Sequence, residues 1–290
     1  MFIAYIFGIR IVHVCKRKKN FLTLWLAICL LGLMTQCAPK PMQQKPVQDY
    51  GVFLGINANQ ANRLDDYRMV VIEPSEFTED QIKQLQADGK TVYGYLNIGA
   101  IESYRPYYAR FQDLALGVYE NWPDEKWIDV SSPEWQGFII DELGKQVAEM
   151  GLDGLFLDNA DVYYHYPSRE VFAGLVAILK GLKTYDITLI INGGDAFVSE
   201  CIDAGIALSL FDGINQETVF TSIDFENNTY GEQTEEERAY FQAYLAKTKA
   251  SGLAVFLLEY RADQELANEI DAYCEENGFF WFNAESLDLE

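Results

Sequence analysis

Histidine is almost missing from this chain of 290 residues, which contains two, His13 and His165. Catalytic zinc sites need several histidine ligands, and Ser-His-Asp or Cys-His hydrolases need a histidine base. Beyond the N-terminal region, all of this chemistry would depend on His165. The Gly-x-Ser-x-Gly motif that carries the nucleophile of many hydrolases is also missing. The sequence therefore disfavours these mechanisms, and we expect His165 to be a loop residue without a catalytic role.

Cysteine is scarce, and its spacing excludes two further classes of site. The chain has neither a Cys-x-x-Cys pair nor a Cys/His cluster, which disfavours structural zinc and thioredoxin-type chemistry. The five cysteines are Cys15, Cys29, Cys37, Cys201 and Cys274. Cys201 and Cys274 lie in different predicted helices, and we expect two separate buried thiols.

Basic residues are outnumbered two to one. The chain has 22 Lys and Arg against 44 Asp and Glu, a formal net charge of −22, and the first 36 residues contain no acid at all. The remainder is therefore strongly acidic and repels nucleic acid and anionic lipid headgroups. We expect no nucleic-acid partner. Such a charge suits an extracellular domain and is compatible with a neutral or cationic substrate.

The N-terminal region has the features of an export signal. The basic cluster Lys16–Lys19 precedes an apolar run, Phe21–Met34, that is too short for a comfortable membrane span. Cys37 follows and resembles the acylated cysteine of bacterial lipoproteins, although Gln36 stands where those proteins usually have Gly, Ala or Ser. We predict a leader over residues 1–36 and lipidation at Cys37.

An uncleaved membrane anchor is the alternative interpretation of the same apolar run. Residues 37–49 contain three prolines and no apolar period, so we predict a semi-extended tether there. In both cases the remainder of the chain lies outside the membrane. We therefore expect an exported protein held at the cell surface by a lipid or by its leader.

Residues 50–290 alternate between short apolar runs and amphipathic segments. Most of the runs are nearly continuous, as is typical of strands buried on both faces. The eight strand candidates are Tyr50–Ile56, Met69–Glu73, Val92–Asn97, Gly154–Asp158, Ile187–Asn192, Phe211–Glu217, Ala254–Glu259 and Phe279–Asn283. The predicted helices between them include Thr78–Asp88, Pro133–Met150, Arg169–Lys183, Thr234–Ser251 and Asp263–Asn277.

Eight strands in alternation with helices predict an α/β fold, a single monomeric (β/α)₈ TIM barrel over residues 50–290. A doubly wound open sheet is the alternative, but it typically has a glycine-rich phosphate turn after its first strand, and Gly51-x-x-x-Gly55 does not supply one. The short run Trp127–Val130 falls in a long insert, residues 99–132, after the third predicted strand.

Acids and amides end nearly all of these apolar runs. They are Glu73, Asn97, Asp158, Asn192, Glu217, Glu259 and Asn283. In a barrel the strand ends converge on one mouth, where the active sites of this fold lie. Each residue taken singly is as easily explained as a helix cap or an ion-pair partner. Seven together, with few Lys or Arg nearby, favour a site.

Asp158 and Glu217 have the most informative contexts. The segments LDGLFLD and FDGINQE both place an Asp-Gly turn, at Asp153 and Asp212, before an apolar strand that ends in an acid. We expect the turn residues to be structural and the two terminal acids to face the mouth. Paired carboxylates across a sugar ring provide the nucleophile or base and the general acid of glycoside hydrolysis.

Aromatic side chains are abundant in the loops expected near the mouth, where flat rings stack on sugar faces. They are Tyr104, Tyr107, Tyr108, Trp122, Trp127, Tyr163, Tyr164 and Tyr166. The same residues also suit ordinary packing, so they support the site without defining it.

Six segments resemble glycoside hydrolase family 114, the endo-α-1,4-polygalactosaminidase-like barrels. They are YGYLNIGAIESYRPYY, WIDVSSPEWQ, GLDGLFLDNADVY, ING, FDGINQETVF and LEY. The resemblance implies a (β/α)₈ barrel that hydrolyses an α-linked, galactosamine-containing polysaccharide, with Asp158 and Glu217 as catalytic acids. It also implies a polar pair at Glu102 and Arg105. This chain has Leu-Asp-Asn where better-characterised members tend to have Pro-Asp-Asn.

The predicted site thus has Asp158 and Glu217 as catalytic residues, with no cofactor and no metal. The predicted substrate-binding residues are Glu73, Asn97, Glu102, Arg105, Asp161, Tyr163, Asn192, Glu259 and Tyr260. Two other functions stay open on the sequence. One is a noncatalytic glycan-binding surface lipoprotein, and the other is a hydrolase that uses the same carboxylates on Mg²⁺ or Ca²⁺, which prefer oxygen ligands.

Overall fold

The computed structural model describes residues 48–290. The predicted leader over residues 1–36, the lipidation site Cys37 and nearly all of the predicted tether lie outside these residues. The first strand begins at Gln48, two residues before the domain boundary predicted at residue 50. Within residues 48–290, no helix combines the length and the apolar character needed to cross a bilayer.

Eight parallel strands form the barrel. They are Gln48–Phe53, Tyr67–Ile72, Thr91–Asn97, Gly154–Asp158, Thr188–Asn192, Gly213–Glu217, Ala254–Tyr260 and Phe280–Ala284. Each pairs with the next in chain order. The first and eighth strands meet through Phe53 and Phe282, whose ring centroids are 5.2 Å apart. The predicted (β/α)₈ barrel is confirmed.

Burial on both faces explains why the strands were visible in the sequence. Leu155, Phe156 and Leu157 of the fourth strand are at most 1% exposed although they point alternately into the barrel and towards the helices. The predicted strand starting at Phe211 begins instead at Gly213, because the Phe211 N–H donates to the Ala207 carbonyl and remains in the preceding turn.

Helices surround the barrel. The α-helices are Glu79–Ala87, Tyr108–Phe111, Pro133–Gly137, Lys145–Glu149, Val162–His165, Arg169–Lys183, Asp195–Asp203, Glu235–Ala250 and Gln264–Asn277. The 3₁₀ turns are Ala58–Leu64, Pro74–Glu76, Gln112–Leu114 and Ala207–Ser209. The predicted helix Pro133–Met150 is continuous but contains a π-helical stretch, Phe138–Gly144.

Two additions to the barrel lie after its third and sixth strands. The insert after the third strand folds into three antiparallel strands, Ala100–Glu102, Ala115–Val118 and Glu125–Ile128, where we had predicted one short run. The sixth strand is followed by a hairpin, Thr221–Asp224 with Thr229–Glu232, that we had not predicted. Both follow the carboxyl ends of barrel strands and therefore border the mouth.

The Asp-Gly turns lie at the opposite end of the barrel. Asp153 Oδ2 accepts a hydrogen bond from the Val92 N–H at 2.7 Å, and Asp212 Oδ2 accepts one from the Leu189 N–H at 2.8 Å. Each aspartate thus ties its own strand to the start of the preceding barrel strand. Lys183 Nζ also binds Asp212, at 2.6 Å. The structural role expected for both turn residues is confirmed.

Candidate active site

The carboxyl ends of the strands open into a cleft of about 640 Å³ whose charged lining residues are mainly acids. Its ionisable residues are Glu73, Arg105, Glu125, Asp158, Asp161, Glu217 and Asp288, apart from tyrosines. Arg105 is the one cation in this lining, and its Nη2 atom is held 3.0 Å from Glu73 Oε2 and 3.1 Å from Glu102 Oε1. The cleft therefore presents a negative potential to a substrate.

Asn192 joins the two predicted catalytic carboxylates. Its Nδ2 atom donates to Asp158 Oδ1 at 2.9 Å and to Glu217 Oε1 at 2.7 Å. Because both oxygens bind the same nitrogen, their separation is at most about 5.6 Å, the two hydrogen-bond lengths laid end to end. The structure thus brings Asp158 and Glu217 to opposite sides of one amide group.

A buried chain of hydrogen bonds sets the direction of that amide. Asn192 Oδ1 accepts from Asn215 Nδ2 at 2.7 Å, and Asn215 Oδ1 accepts from the Tyr50 hydroxyl at 3.0 Å. Tyr50 and Asn215 are at most 1% exposed. A reversed Asn192 would turn its oxygen towards two carboxylates, so the network allows only the orientation that donates to both acids.

Two tyrosines complete the hydrogen bonding of the pair. The Tyr95 hydroxyl donates to Asp158 Oδ2 at 2.8 Å, and the Tyr260 hydroxyl donates to Glu217 Oε2 at 2.6 Å. Tyr260 ends the seventh strand and was among the predicted residues. Tyr95 was missed, although the period-two alternation of a strand places it on the same face as Asn97.

Burial raises the pKa of both carboxyl groups. Hydrogen bonds from Asn192 and Tyr95 and from the Asn159 backbone act against this at Asp158, and hydrogen bonds from Tyr260 and Asn192 act against it at Glu217. The charge of Asp158 raises the pKa of Glu217 further. Two adjacent acids separate in this way into one that ionises first and one that keeps its proton. The environment favours an ionised Asp158 beside a protonated Glu217.

The backbone turns sharply directly after each functional strand end. Asn159, Thr218 and Arg261 follow Asp158, Glu217 and Tyr260, and their φ angles of 67°, 53° and 52° lie in the left-handed region. Side chains other than glycine rarely adopt this conformation, least of all β-branched threonine. The turns lead the chain away from the mouth and leave the preceding side chain directed into it.

If Glu217 is a general acid and Asp158 acts in its ionised form, a pH profile of activity would test the two tyrosines. An O–H donor favours the ionised carboxylate, so Tyr260→Phe is expected to raise the pKa of Glu217. A general acid works while it is protonated, so the alkaline limb of kcat/KM should move to higher pH. Tyr95→Phe should raise the pKa of Asp158 instead and move the acidic limb to higher pH. If Tyr260→Phe shifts the acidic limb, the roles of the two acids are reversed.

The predicted polar pair lies in a buried ion network at one wall of the cleft. Glu102 is 1% exposed and its Oε2 atom has no partner. Burial raises the pKa of Glu102, against the charge and hydrogen bond of Arg105. Burial also acts on Glu73, but there the hydrogen bond and charge of Arg105 prevail and lower its pKa. Of the three residues in this network, Arg105 and Glu73 line the cleft.

Besides Glu102, four strand-end or loop residues do not line the cleft, and three of these four are among the predicted substrate contacts. Asn97 is 3% exposed and bonds the Ala100 N–H and Glu125. Tyr163 donates to Glu200 and packs on Phe172 and Phe197. Glu259 is fully buried under the loop after the sixth strand. Asn283 bonds the Ala262 backbone. Each side chain holds a loop in place instead of meeting the cleft.

Asp161 and Glu125 are two further acids of the cleft. Asp161 Oδ1 accepts from the Gly194 N–H at 3.0 Å, and burial raises its pKa to about 7. Glu125 was missed, because it lies in the insert and not at a barrel strand end. Burial and the charges of Asp158 and Glu102 raise the pKa of Glu125 to about 8.

Aromatic residues form part of the rim. Tyr104, Tyr119, Trp122 and Phe225 line the cleft, and the rings of Trp122 and Phe225 meet at a centroid distance of 6.3 Å. These two rings come from the insert and from the hairpin, so two separate loops touch at this point. The other predicted aromatics do not line the cleft. Trp127, for example, is 2% exposed and stacks on His165 at a centroid distance of 4.5 Å.

Cys201 and Cys274 are separate buried thiols, as expected. Within the described part of the chain, no three His, Cys, Asp or Glu side chains are grouped so that they would hold a metal ion.

Two curated relatives match parts of the chain. An uncharacterised protein of Deinococcus radiodurans is 27% identical over 147 residues, which are 44% of this chain and 47% of that protein. An uncharacterised protein of Methanocaldococcus jannaschii is 25% identical over 236 residues, or 73% and 64% of the two chains. The matches thus span about half to two-thirds of each relative.

Two solved structures share the fold. The glycoside hydrolase domain of PelA from Pseudomonas aeruginosa superposes with a TM-score of 0.70 at 18% identity, covering 83% of this chain and 95% of that one. Ega3 of Aspergillus fumigatus, solved as a complex with galactosamine, gives 0.64 at 17% identity over 86% and 95%. The family model of glycoside hydrolase family GH114 matches residues 34–283. The chain therefore belongs to glycoside hydrolase family GH114, a family of glycosidases.

Proposed function

We propose that this protein hydrolyses an α-linked, galactosamine-containing polysaccharide, with Asp158 as the nucleophile and Glu217 as the general acid and base. The observation that carries the proposal is the Asn192 amide, which holds both carboxylates within about 5.6 Å of each other at the nearest oxygens. A carboxylate pair at this spacing, in a cleft that burial has partly desolvated, is the arrangement that glycoside hydrolysis requires.

The mechanism has two steps. The ionised Asp158 attacks the anomeric carbon while Glu217 gives its proton to the departing glycosidic oxygen, so a glycosyl ester forms as the glycosidic bond breaks. Glu217, now ionised, takes a proton from water, and the hydroxide displaces Asp158 from the anomeric carbon. Asn192 donates to both carboxylates throughout and keeps their spacing while charge moves between them.

The short spacing favours retention over inversion. Inverting enzymes separate their carboxyl groups by about 6.5–9.5 Å to admit a water molecule, whereas retaining enzymes use about 5–5.5 Å. The bridged oxygens of Asp158 and Glu217 are at most about 5.6 Å apart, which is below the range of inverting enzymes. Two successive displacements then return the original anomeric configuration.

The lining of the cleft supports an amino-sugar substrate. It is acidic, its one arginine is already paired, and Tyr104, Trp122 and Phe225 offer ring faces at the rim. A structural neighbour was solved with galactosamine. We propose α-1,4-linked polygalactosamine as the polymer and internal cleavage as the mode.

The test is the product formed from α-1,4-linked polygalactosamine, followed by ¹H NMR during the first turnovers. We expect the α-anomer of the new reducing end to appear first and the β-anomer to follow by mutarotation. A β-anomer that appears first would contradict the retaining mechanism. Activity that disappears with EDTA would favour the metal-dependent alternative, and binding without cleavage would favour a noncatalytic glycan-binding protein.

We also propose that Cys37 attaches the enzyme to the membrane. The support is the position of Cys37 directly after the basic and apolar segments of the leader. Cys37→Ser should be exported but should leave the membrane fraction, which fractionation and immunoblotting would measure. Unchanged membrane retention would indicate that the apolar run Phe21–Met34 anchors the chain uncleaved.

A further inference from the structure

Glu125 is a carboxylate of the cleft that the two-carboxylate mechanism does not use. It begins the strand Glu125–Ile128 of the insert. Its Oε2 atom accepts hydrogen bonds from Asn97 Nδ2 at 3.3 Å and from Asn159 Nδ2 at 3.4 Å. Asn159 directly follows Asp158, so one side chain connects Glu125 to the residue that faces the anomeric carbon.

The second carboxyl oxygen of Glu125 is available to a ligand. Within residues 48–290, no group donates a hydrogen bond to Oε1. Oε1 is also not one of the buried polar atoms that lack a partner, so it is accessible to a ligand. Asp161, the other unused acid near the pair, differs in this respect. One of its oxygens takes the Gly194 N–H, and the other faces Gly193, where an added Cβ would lie 2.7 Å away.

Glu125 also has no counter-charge. No Lys or Arg of the described residues forms an ion pair with it. Arg105, the one cation of the cleft lining, is already bound to Glu73 and Glu102. Burial and the charges of Asp158 and Glu102 raise the pKa of Glu125 to about 8. A cation placed beside Glu125 would lower this pKa again and favour the ionised carboxylate.

We propose that Glu125 binds the 2-ammonium group of the sugar that faces Asp158, and thereby selects the free amine over its N-acetyl form. The proposal rests on the proposed function, because it takes that sugar to be a 2-amino sugar. C2 is bonded to the anomeric carbon, so its substituent lies beside the carboxylate pair. An ammonium group adds the attraction of opposite charges to its hydrogen bond with the Glu125 carboxylate, whereas the N–H of an acetamide has no positive charge to contribute.

The experiment compares two polymers made from one batch of α-1,4-linked polygalactosamine, one left as the free amine and one fully N-acetylated. We expect Glu125→Gln to lower kcat/KM on the amine polymer by about 30-fold, the size of a hydrogen bond to a charged group. On the acetylated polymer we expect no decrease. Glutamine keeps an oxygen for Asn97 and Asn159, so the fold should survive, which a thermal melt would verify.

Glu120→Gln is the matched control, since it removes the same charge from an exposed position of the same insert. It should change neither polymer's kcat/KM. An equal decrease on both polymers, or none on either, would overturn the role of Glu125 while leaving the proposed function intact. If the wild type cleaves neither polymer, calorimetry would measure its affinities for galactosamine and N-acetylgalactosamine. Equal affinities in the wild type would overturn the proposal. A preference of the wild type for galactosamine that Glu125→Gln abolishes would support it.

Discussion

Asp158→Asn and Glu217→Gln are each expected to lower kcat/KM on polygalactosamine by about 10⁴-fold, the scale on which removal of a nucleophile or a general acid acts. An amide in place of the Asp158 carboxylate cannot form the glycosyl ester, and an amide in place of the Glu217 carboxyl group cannot protonate the leaving oxygen. Both variants should fold, because an amide of the same shape opens no cavity and removes the repulsion between two adjacent carboxylates. Steady-state kinetics and a thermal melt on the same samples measure both effects.

A substrate with an activated leaving group separates the two roles. The fluoride or nitrophenolate of a galactosaminyl fluoride or nitrophenyl glycoside leaves without needing a proton. Formation of the glycosyl ester should therefore be largely restored in Glu217→Gln and should stay blocked in Asp158→Asn. Asp153→Asn is the control in the same strand, at the other end of the barrel. It should cost stability and leave the chemistry intact, because Asp153 bonds the Val92 N–H. Loss of activity in Asp153→Asn alone would contradict the assignment.

The barrel was predictable because its strands are buried on both faces. Segments such as Gly154–Asp158 have no polar side that could be confused with an amphipathic helix, and the glycines after the helices mark their ends. Gly89, Gly151, Gly252 and Gly278 all have φ between 69° and 91°, as expected of such caps. Both signals come from residues that are neighbours along the chain, so a single sequence is enough to detect them.

The positions of the two proposed catalytic acids in the cleft were also predictable, because the carboxyl ends of all parallel strands of a barrel lie at the same end. Asp158 and Asp153 are five residues apart, yet one faces the cleft and the other ties two strands together. The same rule led to Glu217 and Asn192. The bridge between them was not predictable, since it depends on how neighbouring strands are staggered.

The rule failed where a strand end is covered by a loop. Glu259 ends its strand next to Tyr260, but the chain after the sixth strand folds over Glu259 and leaves Tyr260 in the cleft. Glu125 was missed for the opposite reason. It precedes the one short run that the sequence showed in the insert, Trp127–Val130, and only the fold brings Glu125 close to Asp158.

Glu259 is expected to control stability instead of substrate binding. Its carboxylate accepts from the N–H groups of Val219, Phe220 and Thr221 and from the Thr221 hydroxyl, at 2.6–3.2 Å. Glu259→Ala would leave these donors buried without a partner and open a cavity, so we expect the free energy of unfolding to decrease by about 4 kcal/mol. Urea denaturation followed by circular dichroism would measure the change.

Glu259→Gln distinguishes a loop anchor from a substrate contact. Its amide nitrogen would point at N–H donors, so this variant should also be destabilised, by about 2 kcal/mol. Glu285→Gln, at an exposed position just after the eighth strand, should stay within about 0.5 kcal/mol of the wild type. Because the loop held by Glu259 begins two residues after Glu217, the surviving folded protein should lose part of its kcat with little change in KM. A Glu259→Gln variant of wild-type stability with a raised KM would restore the substrate-binding role that the buried position of Glu259 argues against.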